Sequence, residues 1–143
     1  MPEQSLRVFE RTLQKTNLWL TAVMAELDTD DRHKAYSALR ATLHALRDRL
    51  TVDEAAQLAA QLPLLIRGIY YENWRPAGTP LKERHQEQFL EHVRQDLPDE
   101  DAERVVRAVF AVIAGYITAG ELDDVYWMLP AGVRELWPAR APA

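Results

Sequence analysis

Apolar residues recur along this chain at three- and four-residue steps, and those steps divide it into helices. The first run is Leu6, Phe9, Leu13, Thr16, Leu20, Val23 and Leu27, one stripe with a single polar member. This is the spacing of one helix face and close to a heptad seam. It reads as one long helix, or two broken near Asn17, that packs on the chain's own core; a dimer seam is the alternative. Leu39, Leu43, Leu46 and Leu50 make a second stripe, on an amphipathic helix over 33–50. Val106, Phe110, Ile113 and Ile117 make a third over 100–117, where Val105, Val109, Val112 and Tyr116 add apolar character on other faces. A helix that is apolar nearly all round belongs at the centre of a fold.

Punctuation between the stripes is just as regular. Thr51 with Glu54, and Thr118 with Glu121, have the spacing of a capping box. There the hydroxyl takes one free backbone N–H and the carboxylate reaches back to another. Leu62-Pro63 and Leu129-Pro130 then break the chain, because proline suits the first turn of a new helix. Short helices should follow, reaching about Tyr71 and about Trp137. Between them Glu72 to Pro80 holds two prolines and a glycine and reads as a loop, with Thr79-Pro80 expected to open the helix that carries Phe89 and Val93.

Laid over each other, the two halves match. Trp19-Leu20-x-x-Val23-x-x-Glu26-Leu27 aligns with Phe89-Leu90-x-x-Val93-x-x-Asp96-Leu97 at an offset of 70. After one loop difference the offset is 67, from Ala35/Ala102 through Arg40-Ala41/Arg107-Ala108 and Thr51/Thr118 to Leu62-Pro63-x-x-x-Arg67/Leu129-Pro130-x-x-x-Arg134. Identities on both sides of a single insertion are the mark of duplication. The expected architecture is all-α: two tandem diverged copies of a helical unit packed as one helical domain, with an extra N-terminal helical stretch. The boundaries are 1–75 for the N-terminal helix plus the first unit and 76–143 for the second.

Composition changes this picture mainly by exclusion. There is no cysteine, so disulfides, thiolate nucleophiles and cysteine-based metal sites are ruled out. The opening Met-Pro-Glu-Gln-Ser lacks the start of a signal peptide. The uncharged stretch from Ala108 to Gly120 is too short to span a bilayer. A cytoplasmic protein without a membrane partner is expected. The net charge is −5. Residues 1–75 balance ten basic against ten acidic side chains, while 76–143 hold seven against twelve. No basic stripe of the kind that neutralises phosphates is visible, so a nucleic-acid partner is not expected.

No constellation of residues carries a chemistry by itself. His33, His44, His85 and His92 form no His-Glu-x-x-His, and His85 and His92 stand seven apart, so neither a metal nor a cofactor is expected. Ser5 and Ser37 sit in no nucleophile elbow. Asp30-Asp31 and Asp123-Asp124 are neighbours whose side chains diverge on a helix. Arg67 and Arg134 recur after the two Leu-Pro breaks. They read as anchors for their short helices, with anion or carboxylate clamps as the alternative; Arg40 and Arg107 are treated alike. Tyr70-Tyr71-Glu72-Asn73-Trp74-Arg75 reads as a seal between the halves. Otherwise Arg67, Tyr70, Tyr71, Trp74 and Arg75 would form a surface for a ligand or partner.

These residues together resemble a bacterial domain-of-unknown-function family, the one numbered 2267. The likeness rests on Val8-Phe9 with Gln14-Lys15-Thr16-Asn17, on the helix from Ala35-Tyr36 to Arg49-Leu50, and on Ala59-Ala60-Gln61-Leu62-Pro63. It continues in Arg67-Gly68-Ile69-Tyr70-Tyr71-Glu72-x-Trp74, Arg107-Ala108-Val109-Phe110 and Leu129-Pro130-x-x-x-Arg134-x-Leu136-Trp137. It implies a bacterial, all-helical, two-unit protein and brings no catalytic residues with it. Without a catalytic residue to assign, the expected function is a non-catalytic module that binds another protein, self-association included. The alternative is a small-molecule or anion-binding protein with a cleft between the units.

Overall fold

The structure is a computed structural model that describes residues 6–139. The opening pentapeptide with Ser5, and the last four residues of 76–143, lie outside the described residues. The described residues form helices and turns, with no strand: α1 (Arg7–Leu27), α2 (Arg32–Arg47), α3 (Val52–Ala60), α4 (Leu64–Tyr71), α5 (Gln86–Asp96), α6 (Ala102–Tyr116), α7 (Ala119–Met128) and α8 (Ala131–Arg134). A 3-10 turn covers Pro76–Gly78.

Four helices make the centre. α1 packs on α2 and α6, α2 packs on α5 and α6, and α5 packs on α6. Their facing stripes bury Leu20, Val23, Leu39, Leu43, Leu46, Phe89, Val93, Val106, Phe110 and Ile113. Burying each large apolar side chain contributes roughly 1.5–3 kcal/mol, so these faces dominate the stability. α6 shares the centre with α2, which buries as large a part of its length. α4 covers α1 and α2, α7 lies against α3, and α8 touches α5.

The α1 stripe divides. The helix is continuous through Asn17, and Thr16, Leu20, Val23 and Leu27 pack inward. Leu6, Phe9 and Leu13 stay exposed. The division falls where α6 ends: Tyr116, its last residue, stacks on Trp19 at 4.8 Å, and the first turns of α1 run on past it.

Local signals set most helix starts. Asp31 accepts from the backbone N–H groups of His33 and Lys34 at the start of α2, and Asp101 from that of Arg104 at the start of α6. Thr51 and Thr118 cap α3 and α7 by accepting from the N–H groups of Glu54 and Glu121, each at 3.2 Å. The other half of the expected capping boxes does not form. The Thr118 N–H donates to the Gln61 Oε1 at 2.9 Å, and the Thr51 N–H donates to the Met128 sulfur at 3.4 Å. The two glutamate carboxylates are released from that duty.

The expected start of α5 at Thr79-Pro80 is also corrected. The helix begins at Gln86, where the Gln88 side chain accepts from the His85 N–H at 3.1 Å. The preceding residues are held as a strap instead. The Leu81 N–H donates to the Asp48 carbonyl at 2.8 Å, and Glu83 accepts from Arg49 at 2.7 Å and meets His92 Nε2 at 2.9 Å. Tertiary bonds of this kind override the local preference of Thr-Pro for a helix start. α8 also ends earlier than expected, at Arg134, with Glu135 to Trp137 in a turn.

Candidate functional site

Proline breaks α3 from α4 at Leu62-Pro63, and the resulting corner stands beside the uncovered turns of α1. The backbone N–H of Leu65 donates to the Thr12 hydroxyl at 3.0 Å and fixes the corner to the helix. Between them runs an open groove of about 620 Å³. Its apolar lining includes Val8, Leu18, Leu64 and Tyr116, all exposed. Its charged lining is Arg11, Lys15 and Arg67, with no acidic side chain.

Arg67 has a structural task in this corner. Its Nε donates to the Ala59 carbonyl at 2.8 Å and its Nη2 to the Leu62 carbonyl at 2.9 Å. These carbonyls lie at and just past the end of α3, and that of Ala59 also accepts from the Leu62 N–H at 3.0 Å. The guanidinium thus anchors the corner while forming part of the groove wall. Arg134 behaves differently: its guanidinium lies 5.0 Å from the Trp127 ring and 5.9 Å from the Tyr126 ring.

The residues of the Tyr-Tyr-Glu-Asn-Trp-Arg stretch do not line the groove. Tyr70 is not a surface residue, which corrects its place among the surface candidates. It follows Ile66 by one helical turn on the inward face of α4, is fully buried, and donates its hydroxyl to the Ala55 carbonyl at 2.8 Å. Burial pushes its phenol well above the usual tyrosine range. Tyr71 and Trp74 pack partly on the core with ring centres 5.2 Å apart, and Arg75 is exposed. The groove therefore collects Arg67 but not Tyr71, Trp74 or Arg75.

That stretch is held instead by the polar face of α2. Arg47, itself buried, donates to the Tyr70 carbonyl at 2.7 Å and the Glu72 carbonyl at 2.8 Å. The His44 Nε2 donates to the Ile69 carbonyl at 2.7 Å, and Arg40 pairs with the Glu72 carboxylate at 3.0 Å. Donors at the C-terminal end of α4 satisfy its orphan carbonyls and suit its negative dipole end. Burial, with the charges of Arg47 and Arg40, outweighs the Ile69 hydrogen bond and lowers the His44 pKa, which keeps the ring neutral.

Sequence reasoning had not assigned Val8, Arg11, Lys15, Leu18, Leu64 or Tyr116 to a site. The apolar stripe of α1 gives no sign of it, because its exposed members Leu6, Phe9 and Leu13 lie outside the groove lining. Among the described residues, no helix is long and apolar enough to cross a membrane.

A family model described as an uncharacterized conserved protein, DUF2267, matches residues 16–136. The chain belongs to the DUF2267 family. The match covers α2 to α8 and the C-terminal part of α1, and so includes the α3–α4 corner. The α1 turns that supply Val8, Arg11 and Lys15 to the groove precede the matched residues. No curated protein matches the chain.

Proposed function

We propose that this family member is a non-catalytic interaction module, built from two diverged copies of one helical unit, that seats an acidic amphipathic helix of a partner protein in the α1 groove. One observation carries the reading: in a chain of net charge −5, this groove joins exposed apolar side chains with three cations and no anion. An amphipathic helix laid in a groove is recognised by its apolar face, and rim charges select its sign. The constant offset of 67 residues and the shared helix order of α2–α4 and α6–α8 support the duplication. The anion-binding alternative would use the same groove, but two donors of Arg67 are already engaged by carbonyls.

The test places a photocrosslinking residue at Leu18, and at Arg75 as a control, in the full chain in its host. A protein captured from Leu18 alone is reduced to its helical segment and titrated against the purified chain. The expected result is an acidic helix whose affinity falls about tenfold or more with Lys15→Glu. Capture of a second copy of the chain, or an affinity indifferent to Lys15→Glu, overturns the reading. A specific thermal shift with a metabolite anion that is abolished by the same substitution also overturns it, in favour of the small-molecule alternative.

A further inference from the structure

The glutamates freed from their capping duty meet across the seam where α7 lies on α3. Glu54 and Glu121 are only 6% and 8% exposed. One carboxylate oxygen from each of them and one from the exposed Asp124 lie within 4.8 Å of one another. A second observation concerns the two buried side chains themselves: the Oε2 atom of each is shut away from water and receives no hydrogen bond from the protein. The charges acting on Glu54 are those of Glu121 and Asp124, both of its own sign. Among the described residues, no lysine or arginine pairs with any of the three.

Buried carboxylates without a counter-charge are costly, and each unsatisfied buried oxygen calls for an explanation. Two positive species can supply the missing charge: a proton shared between the pair, or a cation. Burial first, then the neighbouring Glu121 and Asp124, push the Glu54 carboxyl up to about 8, as expected of a carboxylate without a counter-charge. An oxygen-only set of three carboxylates, open on the Asp124 side, is donor chemistry that suits hard cations rather than zinc or copper. Oxygens opposite each other on a calcium or manganese ion stand about 4.2–5.2 Å apart, twice a bond of about 2.1–2.6 Å, a span that matches this cluster.

We propose that Glu54, Glu121 and Asp124 form a site for a hard divalent cation, which supplies the missing positive charge and clamps α3 to α7, and so one half of the chain to the other. The ligands come from positions 67 and 70 residues apart, and none of them lines the partner groove. The site is therefore independent of the proposed function above.

The test uses the full chain, stripped with a chelator and dialysed. Free Mn2+ is followed by electron paramagnetic resonance, and melting is followed with Mg2+, Ca2+ or Mn2+ added. The expected result is saturable binding of one Mn2+ per chain and a raised melting temperature with at least one of the three ions. Glu121→Gln should lose both effects. The same variant without metal should melt above the metal-free wild type at pH 8, because a like-charge repulsion is gone; this also shows that it folds. Absence of saturable Mn2+ binding below about 1 mM, the weak end of physiological sites, overturns the proposal. Equal cation stabilisation of wild type and Glu121→Gln does so too, since the ions would then act elsewhere.

Discussion

The C-terminal ends of α4 and α8 are closed by opposite means. At α4, three side chains of α2 reach across with charge and hydrogen bonds: Arg40, His44 and Arg47. At α8 the corresponding helix, α6, offers Arg107 to the Glu135 carbonyl at 3.0 Å, while the positions 67 residues after His44 and Arg47 are Ala111 and Ala114. Their place is taken by an aromatic stack, Phe110 on Trp137 at 3.9 Å with planes 10° apart, backed by Phe89. The helix order in both halves is the same, so the backbone layout does not dictate which chemistry closes it. A polar closure depends on geometry and on protonation. An apolar one depends on filled volume.

The largest test of that contrast is Phe110→Ala. It removes the centre of the stack in a fully buried position and should cost about 3–5 kcal/mol, measured by denaturant unfolding. A change below about 1 kcal/mol would mean that the second half is closed by something other than packing. Next come the two arginines after the Leu-Pro breaks. The sequence alone predicts that they behave alike, but the structure separates them. Arg67→Ala strands the Leu62 carbonyl and takes one of two donors from that of Ala59, and should lower stability by about 1–3 kcal/mol. Arg134→Ala loses ring contacts and should cost less, about 0.5–1 kcal/mol. Equal shifts of the two unfolding midpoints would restore the symmetric view.

The smallest expected effect is a pH slope. The His44 pKa is lowered on folding, so its contribution is complete above its unfolded value of about 6.5 and is lost as pH falls below that. Wild type should therefore lose more stability than His44→Gln between pH 7.5 and pH 5.5, read from paired denaturant melts. Parallel curves would show that the ring takes up its proton without disturbing the Ile69 contact.

Much of the fold was written locally. Spacing of Leu39, Leu43, Leu46 and Leu50 placed α2, hydroxyls at Thr51 and Thr118 placed two helix starts, and Leu-Pro placed the breaks. These signals act within one or two helical turns, so sequence carries them. What sequence did not carry was contact between distant elements. Glu54 was legible as a capping residue but not as the neighbour of Glu121, since their meeting depends on how α3 lies against α7. The late start of α5 follows from Arg49 and Asp48 holding the strap, and the exposure of Phe9 and Leu13 follows from where α6 stops. Of the candidate surface, Arg67 remained in a groove and Tyr70 went to the core. Both lie on α4, and the difference is one of helix face.

The central packing has a topological consequence. α1 rests on α6 and α2 on α5, so each half supplies helices whose apolar faces are covered by the other half. Each stretch on its own would leave those faces open to water. A protease admitted at the exposed Pro76–Gly78 turn would nick the chain without releasing its pieces, and the two fragments should co-elute in gel filtration until denaturant is added. Made separately, they would behave as two partly unfolded strangers that regain helical structure on mixing. That makes the turn a natural place to split this protein into a complementing pair.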